Sequence, residues 1–147
     1  MYFKDIDDKL LTEASQILFD ADNPYIPEYQ DVSNHAVRRF IQRATKKGKV
    51  NDDQDRLLCN MQLGKILSPN YKRDHYMGKT FDDKYGITYW YRGQSEDGKM
   101  KYLIPQTSNG SIKTIFNWGF ENDKVKFLKS RIIQLTKKLE KEYTNEK

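Results

Sequence analysis

The chain has 147 residues, of which 37% are hydrophobic and 32% charged, and its formal net charge is +5 at pH 7. This length suits one domain with a single core, and the ten Tyr, seven Phe and two Trp exclude an intrinsically disordered chain. No apolar run approaches the roughly 20 residues that a membrane-spanning helix needs, and the single cysteine, Cys59, excludes an intrachain disulfide.

The N-terminal segment and the lone cysteine bear on cellular location. The first eight residues are acidic and lack the apolar centre of a signal peptide. A single cysteine is typical of a protein from a reducing compartment. We therefore expect a cytoplasmic protein that makes no contact with a membrane.

The first predicted element is an amphipathic helix from Asp5 to Asp20. Its apolar residues recur at helical spacing, and the acids in its first turn suit the helix dipole. Pro24 and Pro27 then indicate an extended loop. Residues 1–31 carry eight acids and two lysines, so this part of the chain is strongly acidic.

The second predicted helix is basic, is capped by Ser33 or Asn34, and ends near Gly48. Its apolar residues form one stripe, which leaves the cations for the water-facing side. Between residues 32 and 51 there are six Lys and Arg and no acid. These candidate binding residues are Arg38, Arg39, Arg43, Lys46, Lys47 and Lys49. Such a concentration of positive charge attracts phosphate groups or an acidic protein.

Six further elements are predicted from periodicity, from aromatic and β-branched runs, and from turn signals at Gly98 and Gly110. They are a helix from Asp52 to about Leu67, strands at Tyr71–Met77, Tyr85–Arg92, Met100–Ile104 and Ser111–Phe116, and a helix from Lys124 to about Tyr143. Helices first, then strands, then a helix predict one α+β domain over residues 1–147. Its parts are an acidic helix and loop (1–31), the basic and third helices (32–67), a three- to four-stranded antiparallel meander (71–117), and a long C-terminal helix (124–143).

Three residues have the chemistry to act on RNA, namely His35, Arg73 and His75. Cleavage by internal attack needs a base, an acid and a cation at the phosphate. If residues 71–77 form a strand, Arg73 and His75 share one of its faces. The structural alternatives are a capping histidine at position 35 and, for the other two, a charged edge strand that discourages aggregation.

Other residues of the chain leave similar alternatives open. The arginines of the basic helix can hold phosphates bidentately, or one of them can pair with an acid of the first helix. The aromatic strand around Trp90 can form core on both faces, or one face can stack on bases. The histidines and the cysteine form no metal-binding pattern, so we expect neither a metal nor another cofactor.

The pattern His35-Ala36-x-x-Arg39-x-x-x-Arg43, followed by a meander of strands, resembles a helix of small bacterial and phage domains distantly related to the RelE and BrnT toxins. The likeness covers roughly residues 33–117. It implies an endoribonuclease that acts on the ribosome or on mRNA, with Arg39, Arg43 and His35 in its site and an antitoxin as partner. The chain departs from that pattern by an extra helix before the meander and by helices at either end.

Two functions from different classes follow. The first is a nucleic-acid-interacting protein, with RNA favoured over DNA, that acts as a RelE-like endoribonuclease toxin. The second is a non-catalytic inhibitor, encoded by a phage or mobile element, that binds a host nucleoprotein or nuclease through its basic helix. The first predicts loss of cleavage in His75→Ala or Arg43→Ala variants, and the second predicts stepwise loss of affinity as the cations are removed.

Overall fold

The computed structural model describes residues 7–25, 31–44, 61–84, 86–94, 101–120 and 122–145. The helices are α1 (Asp8–Asp22), α2 (Asn34–Ala44), a helical segment over residues 61–66 that we call α3, α4 (Pro69–His75) and α5 (Asp123–Asn145). The strands are β1 (Asp31–Val32), β2 (Tyr76–Asp82), β3 (Gly86–Gln94), β4 (Lys101–Thr107), β5 (Ser111–Ile112) and β6 (Phe116–Asn117).

The main sheet has four antiparallel strands in the order β2-β3-β4-β6. A separate parallel pair joins β1 to β5. Together with the N-terminal helices and the long α5, this arrangement confirms the predicted α+β class and the predicted meander.

Helices cover both faces of the sheet. Tyrosines of β3 and β4 on one face pack against Ala36 and Phe40 of α2 and against Leu63 and Ile66 of the α3 segment. The opposite face contributes Met77, Trp90 and Leu103, which pack against Val125 and Leu128 of α5. This alternation follows from the two-residue period of a strand, so the two apolar sides of the aromatic strand both form core.

The acidic helix α1 lies against α5, β2 and α4. Leu11 and Ala14 of α1 form a third apolar cluster with Ile132 and Leu139 of α5. Arg92 reaches the same region and donates hydrogen bonds to the Ser15 hydroxyl at 3.0 Å and the Asp74 carbonyl at 3.1 Å. Burial lowers the pKa of Arg92 to about 10.

The predicted strand at residues 71–77 is wrong, because α4 occupies Pro69–His75 and the sheet begins at Tyr76. Pro69 stands in the first turn of α4, where its missing N–H and restricted φ are tolerated. Tyr71 and His75 are four residues apart, so the helix brings their rings together at 3.8 Å between centroids. The predicted sharing of one strand face by Arg73 and His75 is therefore also wrong.

Several predicted boundaries are confirmed or shifted. Helix α1 begins at Asp8, since the Asp7 carboxylate caps it by accepting from two backbone N–H groups. Ser33 caps α2 as predicted, because its hydroxyl accepts from the Ala36 N–H at 3.0 Å. The predicted strand Ser111–Phe116 is two short strands, β5 and β6.

Other predictions fall outside the described residues. They concern the start of the third helix, the C-terminal stop at Gly48 and the turn at Gly98. In the part of the chain that is described, no helix combines the length and the apolar character needed to cross a bilayer.

Candidate functional site

The described part of α2 presents its polar side chains to water and its apolar side chains to the sheet. Ala36 and Phe40 are fully buried, and the Phe40 ring lies 5.2 Å from that of Tyr102 on β4. His35, Arg38 and Arg39 are exposed. We call these three exposed residues the α2 cationic face.

The start of α2 is fastened to the chain around β5. The backbone N–H of Ser33 donates to the Ile112 carbonyl at 2.9 Å, and its hydroxyl donates to the Lys113 carbonyl at 2.9 Å. The parallel β1–β5 pair holds the preceding residues. The cationic face therefore begins beside residues 111–113.

The acids of α1 do not neutralise Arg38. No carboxylate among the described residues lies within ion-pair distance of its guanidinium. Asp20 of α1 instead pairs with Arg73 on α4, and Asp22 lies 4.0 Å from Arg131 on α5. Arg38 is therefore not the arginine that pairs with the first helix, and for Arg39 and Arg43 that alternative stays open.

The remaining predicted binding residues are less fully defined. The backbone of Arg43 continues α2 one turn beyond Arg39, while its side chain lies outside the described residues. Lys46, Lys47 and Lys49 also lie outside them. Their contribution to an interface stays a prediction.

Arg73 and His75, two of the predicted catalytic residues, are engaged within the fold. The Arg73 guanidinium donates to both Asp20 carboxylate oxygens, at 3.3 and 3.1 Å, and this hydrogen bonding lowers the pKa of Asp20. The Nδ1 atom of His75 lies 2.7 Å from the Tyr71 carbonyl oxygen. Burial, reinforced by the nearby charge of Arg92, lowers the pKa of His75.

The described contacts do not bring the three predicted catalytic residues together. His35 lies on α2, whereas Arg73 and His75 lie on α4 and make their described contacts with α1 or within α4. Their joint role in cleavage stays a prediction.

Lys72, which sequence reasoning placed on a strand, is a fully buried cationic residue of α4. Its Nζ donates to the Gln106 side-chain oxygen and lies 5.0 Å from the centre of the Tyr91 ring. Burial lowers the pKa of Lys72 to about 7. Only the helical form of residues 69–75, which the sequence pattern did not predict, directs this side chain into the core.

A groove of about 630 Å³ opens on the α5-facing side of the sheet. We call it the sheet groove. Its lining comes from β2, β3, β4, residues 111–116 and the start of α5. The sequence correctly places Thr88 and Trp90, both lining residues, on one strand face, but it contains no signal that joins these five separate segments.

No protein-family model matches the chain, and neither a curated protein nor a solved structure matches it. Among the described residues, no three His, Cys, Asp or Glu side chains group as metal ligands. The RelE-like resemblance therefore stays a prediction.

Proposed function

We propose that the protein binds RNA through the α2 cationic face. The observation that carries the proposal is the orientation of α2, whose apolar side is buried against the sheet while Arg38 and Arg39 point outward. Because the start of α2 is hydrogen-bonded to residues 112 and 113, the helix holds these groups on a fixed platform. Guanidinium groups in such an arrangement suit the oxygens of successive phosphates.

The charge distribution supports a nucleic acid as partner. The net charge of +5 favours association with polyanions, and six of the cations fall in the sequence segment 32–51, which contains α2. RNA is favoured over DNA by the RelE-like pattern of His35, Arg39 and Arg43. An acidic host protein is the alternative partner, and the experiment below separates the two.

RNA binding through α2 does not require that the protein cleave the RNA. The Arg73 guanidinium is already paired with Asp20, and the His75 ring is stacked on Tyr71, so both are occupied by structural contacts. We therefore place RNA affinity in α2, and we propose a catalytic role of His75 that is independent of it.

Reversing two charges on α2 should weaken RNA binding strongly. We expect Arg38→Glu combined with Arg39→Glu to lower the affinity for single-stranded RNA at least tenfold at about 0.1 M salt, because favourable phosphate contacts become repulsive. The slope of log K against log salt should become shallower by roughly 1.4, since each lost contact on a single strand contributes about 0.7. Fluorescence anisotropy over a salt series measures both quantities.

The matched control reverses two exposed charges elsewhere. Lys137 and Lys138 of α5 are exposed, so Lys137→Glu with Lys138→Glu makes the same change in net charge away from α2. An equal loss of affinity in both variants would reduce the effect to net charge and contradict the proposal. If the unaltered protein binds no single-stranded RNA at low salt, the protein-binding alternative is favoured instead.

The cleavage proposal has a test of its own. If His75 is a general acid or base, His75→Gln should lower RNA cleavage by at least 100-fold while leaving RNA affinity unchanged, because His75 lies on α4 and not on α2. A glutamine amide can still donate to the Tyr71 carbonyl, so the helix should be preserved. Full cleavage by the variant, or no cleavage by the unaltered protein, would remove His75 from any catalytic role.

A further inference from the structure

The sheet groove is large enough to hold a ligand of its own. Its volume of about 630 Å³ falls within the range of about 300–1,000 Å³ that is typical of small-molecule sites. Its floor includes the cross-strand pair Trp90 and Pro105, and Phe116 lies beside them. The groove thus combines an apolar floor with walls contributed by separate elements.

Aromatic rings and hydroxyl groups determine what the groove can hold. Phe116 stacks against Phe120, with ring centroids 4.1 Å apart, and lies 6.2 Å from Trp90 at an interplanar angle of 22°. Thr88 and Thr107 face one another across β3 and β4 and line the same space. The Thr107 hydroxyl is engaged by Asn109 and Ser111. A planar ring with hydrogen-bonding edges matches this combination, because it can contact the aromatic floor and pair with the Thr88 hydroxyl.

Helix α2 and the sheet groove lie on opposite faces of the sheet, and the segment that contains Lys113 connects them. Lys113 lines the groove with its side chain exposed, and its carbonyl accepts the hydrogen bond from the Ser33 hydroxyl that fixes the start of α2. Lys124, at the start of α5, also lines the groove and donates to the Phe81 carbonyl. An RNA strand that passes from α2 around this segment would meet the Lys113 side chain where it lines the groove.

We propose that the sheet groove receives a base of single-stranded RNA whose backbone lies on the α2 cationic face. This inference rests on the proposed function, since α2 supplies the phosphate contacts. Single-stranded RNA is commonly recognised by unstacked bases that insert between aromatic and polar side chains. The α2 contacts are to phosphates, which single strands and duplexes share. Base contact in the groove would therefore make the protein bind single strands more tightly than duplexes.

The first test fills the groove. Thr88→Leu adds apolar volume inside the groove, where it would exclude a base. We expect it to lower the affinity for a short single-stranded oligoribonucleotide about tenfold, which is the size of the loss when one base no longer stacks on an aromatic ring. Ser130→Leu makes a similar change on an exposed position of α5 and should leave the affinity unchanged. If Thr88→Leu lowers the thermal midpoint, Lys113→Glu on the groove rim is the second variant, with the same expected loss.

The second test measures the fluorescence of Trp90, which lines the groove. The chain has two tryptophans, so Trp118→Phe leaves Trp90 as the only one. Binding of the oligoribonucleotide should change the Trp90 emission, and Thr88→Leu in the same background should abolish that change. Unchanged emission on saturated binding would overturn the proposal.

The outcomes separate the groove from α2. Loss of affinity on reversing Arg38 and Arg39, with no effect of Thr88→Leu or Lys113→Glu, would uphold the proposed function and overturn the groove. Loss only in the groove variants would support base binding in the groove and overturn the role of α2. Adenosine monophosphate that changes Trp90 emission, while groove variants keep full RNA affinity, would overturn RNA as the occupant.

Discussion

The free energy of unfolding should rise as the pH is raised from about 7 towards 9.5, and Lys72→Met should remove most of that rise. Lys72 is fully buried, and burial lowers its pKa from 10.5 to about 7. Between these two values the unfolded chain binds a proton that the folded chain lacks. Stability therefore increases with pH in this window, and below pH 7 the folded protein must hold a buried charge.

The expected size of the Lys72 effect is several kcal/mol. One pKa unit corresponds to about 1.36 kcal/mol, so the full shift sets an upper value of roughly 5 kcal/mol. The hydrogen bond to Gln106 and the nearby Tyr91 ring lessen the cost of the charged form. The pH range ends at 9.5 because tyrosine ionisation would oppose the Lys72 effect at higher pH. Burial raises the pKa values of Tyr76 and Tyr91, so above pH 10 these groups ionise in the unfolded chain only and the free energy of unfolding falls.

Urea unfolding at pH 6.5, 8 and 9.5 measures the effect. Methionine preserves the length of the buried side chain and removes its charge, so Lys72→Met should be the more stable protein at pH 6.5. Lys65→Met, at an exposed position near the end of α3, is the matched control and should keep the rise of the unaltered protein. A rise of the same size in Lys72→Met would show that another group is responsible.

The sequence predicted those elements that are determined by residues close to one another along the chain. The apolar positions of α5 recur at helical spacing, and Val125, Leu128, Ile132 and Leu139 are buried as expected. The cap at Ser33 is likewise a local signal, because a hydroxyl bonds to an N–H three residues away. The α2 cationic face was predictable for the same reason, since one helix carries both its apolar and its charged side.

The sequence-based predictions failed where tertiary contacts determine the local secondary structure. The tyrosines and charges of residues 71–76 fit a strand as well as a helix, and the choice of α4 depends on what covers it. Gln16 of α1 donates to the Asp74 carboxylate at 2.8 Å, and Asp20 pairs with Arg73, so α1 stabilises a helix that it meets more than 50 residues later. The sheet groove is harder still, because five separate segments line it.

Gly78 of β2 lies directly beneath two side chains of α5, and Gly78→Ala should destabilise the protein by about 2–5 kcal/mol. The φ of Gly78 is +130°, a conformation that L side chains rarely adopt. An added Cβ would also lie 2.8 Å from Leu128 Cδ2 and 2.9 Å from Arg131 Nη2. Backbone strain and overpacking each cost about 1–3 kcal/mol, so the two effects together exceed either alone.

Alanine variants of two other glycines distinguish the cost of backbone strain from the cost of overpacking. Gly86 has a φ of +73° with nothing within 4 Å of an added Cβ, so Gly86→Ala should show the strain alone, about 1–3 kcal/mol. Gly64 has open space in the α3 segment, and Gly64→Ala should be neutral or stabilising, because alanine favours helices. Urea unfolding of the three variants should therefore rank Gly78→Ala as the least stable, followed by Gly86→Ala and then Gly64→Ala. Equal losses for Gly78→Ala and Gly86→Ala would show that the Leu128 and Arg131 side chains move aside at little cost, so that only backbone strain remains.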